Sequence, residues 1–123
     1  MVSLMLAKKD GGNAINDTDF ESVLGEFFLD HIGATLAIVN EKVISTPSPH
    51  RKLAVRVDLD EGISYVSTMT MTKWLAEHGY SEENFLHIMK KKGVLEKKDK
   101  KRLAAGWKGA PDSVNVNCYF FKS

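Results

Sequence analysis

One cysteine, Cys118, in 123 residues rules out an internal disulfide, and with it the cysteine-rich zinc sites that small domains use to supplement a thin core. The four histidines, His31, His50, His78 and His87, are scattered without HxxxH or HExxH spacing, so no metal centre is expected. No apolar run is long enough to span a membrane. The opening stretch Val2–Ala7 is too short for that, and it lacks the basic region and cleavage site of a signal peptide. There is also no glycine-rich phosphate loop, no Gly-x-Ser-x-Gly elbow and no pair of carboxylates at a catalytic spacing. Asp58-Leu59-Asp60-Glu61-Gly62 resembles the start of a calcium loop but lacks the third acidic position and the closing Glu, and it reads as a hairpin turn. These absences argue against an enzyme and against a cofactor, and they place the chain in the cytoplasm with no membrane partner.

What is present is an uneven charge. The whole chain carries +1, but the stretch Lys90–Lys108 holds nine basic residues (Lys90, Lys91, Lys92, Lys97, Lys98, Lys100, Lys101, Arg102 and Lys108) against Glu96 and Asp99. That segment therefore carries +7 and leaves −6 for the rest. A neutral average says nothing about nucleic acid, but a local field of this size does, because phosphates respond to a patch.

The pattern along the chain is α+β. Residues 1–16 have no periodicity and read as a flexible lead, and residues 17–123 as one domain. Thr18 and Glu21 are spaced as a capping box, and Phe20, Val23, Leu24, Phe27 and Phe28 follow at helical spacing as far as a cap at Gly33. Thr35–Val39 reads as a short strand. Residues 45–50, with Pro47 and Pro49, read as a loop. Leu53, Val55 and Val57 alternate with Ala54, Arg56 and Asp58 as a half-buried strand, and Ile63–Ser67 returns as the second arm of a hairpin.

From Thr70 the period is helical again. Met71, Trp74, Leu75 and His78 share a face that ends at Gly79. Ser81 caps a second helix with Glu82 and Glu83 in its first turn, Tyr80 and Phe85 as a staple, and Gly93 as its stop. Arg102–Lys108 is expected to be a strand, residues 109–112 a turn, and Ser113–Phe121 a final strand with Val114, Val116, Cys118 and Phe120 inward. The order predicts a winged helix-turn-helix, with the helix pair over residues 70–92 and the wing over 94–121, and with the N-terminal helix and β-hairpin packed on it.

With Phe85, Ile88 and Met89 inward, the second helix presents Asn84 and His87 to base edges and Lys90 and Lys91 to phosphates. Lys97, Lys98, Lys100, Lys101, Arg102 and Lys108 add a cationic wing. Double-stranded DNA is the expected partner, with other replication or transfer proteins beside it. A protein-docking use of the same fold is the alternative.

From Gly62-Ile63-Ser64-Tyr65-Val66 onward, through the two helices, Gly93-Val94-Leu95, the basic strand and Cys118-Tyr119-Phe120, residues 52–121 resemble a known group. These are the C-terminal winged-helix modules of phage, plasmid and integrative-element helicase-primase and conjugation proteins. The spacing is also similar to small winged-helix proteins that mark a conjugative origin of transfer. The resemblance implies a DNA-binding accessory role in replication or transfer of a mobile element. This chain has no ATP-binding loop or nuclease residues, so helicase and relaxase activity are not implied.

Overall fold

In a computed structural model, residues 19–48, 51–105 and 115–122 are described. They form α1 (Phe20–Asp30), a 3-10 turn (Ile32–Ala34), β1 (Thr35–Val39), β2 (Lys42–Ser45), β3 (Val55–Asp58), β4 (Ile63–Ser67), α2 (Thr68–Glu77), α3 (Glu82–Lys91), β5 (Leu95–Arg102) and β6 (Asn115–Lys122). The α+β class holds. The strands make one six-stranded sheet in the order β2-β1-β3-β4-β6-β5, in which only the β1–β3 pair is parallel.

Local chemistry explains the helix ends. Gly79 (φ 74°) and Gly93 (φ 78°) take the left-handed conformation that an L side chain resists. At the end of α2, Tyr80 donates its amide to the Leu75 carbonyl, and Gly79 donates to Ala76. Val94 to Met89 and Gly93 to Lys90 repeat this pair of bonds at the end of α3. Both helices thus close with two otherwise orphaned carbonyls satisfied. Ser81 Oγ accepts the Asn84 amide at 3.2 Å and opens α3 as its spacing implies. Its acids Glu82 and Glu83 and its bases Lys90 and Lys91 sit at the ends the helix dipole favours.

The helices share one face of the sheet. Phe27 is fully buried between α1 and α2, edge-on to Phe28 at 5.5 Å and to Trp74 at 5.4 Å. Around it pack Val55 and Val66 of the sheet, Phe85 and Ile88 of α3, and Tyr119 and Phe121 of β6. A polar clasp joins α1 to α2. Trp74 Nε1 donates to Asp30 Oδ2 at 2.8 Å, and His78 Nε2 lies 3.7 Å from both Glu26 Oε1 and Asp30 Oδ2. The N-terminal helix therefore covers its own domain's core.

Several expectations are corrected. α1 opens after Asp19, which makes no side-chain cap bond, and Thr18 of the expected capping box lies outside the described residues. It ends at Asp30, and Gly33 lies in the 3-10 turn without positive φ. β2 adds a strand that the hydropathy pattern does not signal; Asn40 (φ 50°) and Glu41 (φ 65°) form the tight turn that returns β1 into it. The final strands differ too. β5 is Leu95–Arg102, and Leu103–Ala105 turn where a strand was expected. In β6, Cys118 and Phe120 lie on one face and Tyr119 and Phe121 on the other, and all four are buried because both faces are covered.

That second covering also corrects β3, whose Arg56 and Asp58 are buried. Arg56 Nε donates to Asp58 Oδ1 at 2.8 Å, and its Nη1 donates to the carbonyls of Leu103 and Ala105. The turn after β5 is thus tied down over Tyr65, Cys118 and Phe120.

Burial has a titration consequence. It pushes the Cys118 thiol up to about 11 from 9.0, with Lys101 opposing the shift. It also raises the Tyr65 hydroxyl to about 12, reinforced by Glu61, and the Tyr119 hydroxyl to about 12, reinforced by Glu82. Each group holds its proton more tightly folded than unfolded. Its contribution is complete below the unfolded value and is lost as pH rises through the folded one. Stability from this source is expected to hold up to about pH 9 and then decline towards pH 12. Urea midpoints across that range check it, and a flat series contradicts it.

Candidate nucleic-acid interface

α3 lies on the helical side of the sheet, and its start is fixed by one carboxylate. Glu82 Oε2 accepts from Thr72 Oγ1 at 2.7 Å and from the Tyr119 hydroxyl at 2.9 Å, linking α3 to α2 and β6. With Phe85, Ile88 and Met89 buried, His87, Lys90 and Lys91 are exposed on the far side. Asn84, in the first turn, is half-buried. Lys92 lies just beyond the helix, its ammonium 5.7 Å from the Phe20 ring centre.

The lysines of β5 do not form one patch. Side chains alternate across a strand, and the register with β6 assigns each to a face. Lys98, opposite Tyr119, lies on the helical face, and so by alternation do Lys100 and Arg102. Lys97, Asp99 and Lys101 belong to the other face, opposite Phe120, Cys118 and Val116. There Lys97 Nζ sits 5.1 Å from the Phe120 ring and 3.7 Å from Asp99, and Lys101 Nζ sits 4.6 Å from the Tyr65 ring. These two ammoniums already have partners within the fold. Lys98 Nζ, on the helical side, is 5.9 Å from the Tyr119 ring.

Distance divides the run as well. β5 starts beside the end of α3, and seven strand steps carry the chain roughly 23 Å from Leu95 to Arg102. Lys90 and Lys91 therefore sit at one end of the sheet, and Lys100 and Arg102 at the other. Lys108, the remaining cation of the predicted site, and Trp107 lie outside the described residues.

At the far end Lys100 meets cations that the sequence did not single out. A groove of about 820 Å³ crosses the end of the sheet, where β4 and β5 finish and β3 and β6 begin. Arg51 and Lys52 border it ahead of β3, Lys73 of α2 lines it, and Lys100 reaches it from β5. Only contiguous charge signals a patch in sequence, and these four residues come from three separate segments. A second concavity of about 560 Å³ on the opposite face is mainly acidic, with Glu41, Asp58, Asp60 and Glu61 around Arg56 and Lys101. Among the described residues, Glu26, Asp30 and His78 form a group of possible metal donors within 4.8 Å of one another. All three are exposed. Packing of α1 on α2 assembles this group, so no spacing motif announces it.

Comparison with protein families, characterised proteins and solved structures finds no match to this chain.

Proposed function

We propose that the chain is a DNA-binding module in which β4, α2, α3, β5 and β6 act as a winged helix-turn-helix. The observation that carries this reading is that Lys90 and Lys91 at the end of α3, and Lys98, Lys100 and Arg102 spread along β5, share the helical side of the sheet. Supporting it are the short connection between α2 and α3 and a following hairpin whose β6 pairs with β4. In this reading the amide of Asn84 and the ring of His87 read bases, and the cations grip phosphates. The chain serves as an accessory in replication or conjugative transfer of a mobile element, following the resemblance of residues 52–121.

Fluorescence anisotropy with labelled duplex DNA tests the reading. Five phosphate contacts give a log–log salt slope near −4.5, so affinity is expected to fall about 500-fold between 50 and 200 mM salt. Replacing Lys98 and Lys100 together by Glu is expected to weaken binding at least tenfold. The same change at Lys97 and Lys101, on the opposite face, costs much less. Absent binding at low salt, or affinity indifferent to salt, refutes DNA binding and favours docking of a protein.

A further inference from the structure

The groove at the end of the sheet concentrates charge without neutralising it. Among the described residues, Lys52, Lys73 and Lys100 make no salt bridge, and Glu77 is the single acid on its lining. Arg51 is held in place by donating to the Asp30 carbonyl at 3.2 Å. The residues ahead of β3 and those of β5 are three strand spacings apart, roughly 14 Å, with β4 and β6 between them. Like charges gathered on a concave surface repel one another, and an extended anion lying between them relieves that repulsion. Asn115 and Asn117, on the same lining, add amide donors that suit phosphate or sugar oxygens.

The groove also has an apolar element that phosphate does not explain. Met69, in the first turn of α2, is 79% exposed and lines the groove, as does Leu53. An exposed thioether on the same lining as ammonium groups matches a ligand that offers an anionic backbone and a free apolar face together. A duplex hides its base faces in the stack, whereas a single strand presents both.

We propose that this groove takes a single nucleic-acid strand, with its phosphodiester backbone on Lys52, Lys73 and Lys100 and a base face on Met69. The proposal rests on the DNA-binding reading and adds a second surface to it. Duplex lies on α3 and β5, and an unpaired end continues across the end of the sheet.

The test compares a blunt duplex with the same duplex carrying a single-stranded overhang, using the full chain and fluorescence anisotropy. The overhang is expected to tighten binding at least tenfold. In Lys52→Glu/Lys73→Glu that gain disappears and the salt slope of overhang binding falls by about 1.4, two contacts at the single-strand value. Affinity for the blunt duplex stays unchanged. Met69→Ser is expected to reduce the overhang gain and leave the salt slope alone. Circular dichroism and thermal melting establish that each variant is folded.

If the double variant loses affinity for both DNAs equally, or keeps the overhang gain, the groove assignment is overturned. It is equally overturned if polyglutamate displaces the overhang as well as an oligonucleotide of equal charge does, because the groove then accepts acidic protein. Duplex binding that is lost in Lys98→Glu/Lys100→Glu but shows no overhang gain leaves the DNA-binding reading standing and removes only the groove. No binding to either DNA by the unmodified chain removes both.

Discussion

Arg56→Met is expected to lower the unfolding free energy by about 3–5 kcal/mol, the usual cost of removing one member of a buried ion pair. Arg56 is 8% exposed and Asp58 9% exposed, so methionine fills the space and leaves a buried carboxylate without its guanidinium partner. The change also frees the carbonyls of Leu103 and Ala105, which Arg56 holds across 47 and 49 residues of sequence. For a domain with a typical stability of about 5–15 kcal/mol, such a loss is a large fraction of the total. Urea unfolding measures it, and hydrogen exchange at residues 103–105 should rise by more than the global change requires. Arg56→Met/Asp58→Leu is expected to recover part of the stability, because no charge is then left buried. A single variant as stable as the parent refutes the buried-pair assignment.

The second large effect is expected at Phe27→Ala. This side chain has no exposed surface and meets Phe28, His31 and Trp74 at the junction of α1 and α2. Removing a buried aromatic ring costs about 3–5 kcal/mol through lost transfer energy and the remaining cavity. Leu29 lies on the same helix but is 70% exposed, and Leu29→Ala should change stability by no more than about 0.5 kcal/mol. The contrast separates a core helix from a seam between two copies. A seam would make the Leu29 change costly and the Phe27 change concentration-dependent.

Much of the helical part was legible because its signals are local. Ser81, Gly79 and Gly93 act through bonds to residues three to five positions away, so their spacing alone identifies the ends of α2 and α3. The stripe of Phe20, Val23 and Phe27 likewise announces the buried face of α1. The sheet was less legible. The parallel pairing of β1 with β3 depends on long-range contact, and β2 buries none of its four residues fully. In β5 the sequence Leu-Glu-Lys-Lys-Asp-Lys-Lys-Arg has no apolar alternation, because this edge strand leaves its own side chains in solvent while β6 supplies the buried ones.

The candidate site shows the same division. His87, Lys90 and Lys91 are exposed on α3, as its apolar period requires. The basic run was contiguous in sequence, but strand alternation sends Lys97 and Lys101 to one face and Lys98, Lys100 and Arg102 to the other. Arg51, Lys52 and Lys73 joined the site only through folding. Arg56 and Asp58 alternate with the apolar residues of β3 and so read as solvent-facing, whereas the turn at Leu103–Ala105 covers that face as well.

Among the described residues β5 pairs with β6 on one side and with no strand on its other, which leaves it at the border of the sheet. Such a border invites a strand from a neighbouring molecule, and repeated positive charge along it repels an identical copy. Under the proposed function the same lysines would serve both as a grip for polyanion and as a guard against self-association. On that reading a bound polyanion masks the guard, so crowded, charge-saturated chains are the condition in which edge-to-edge pairing is expected to emerge first.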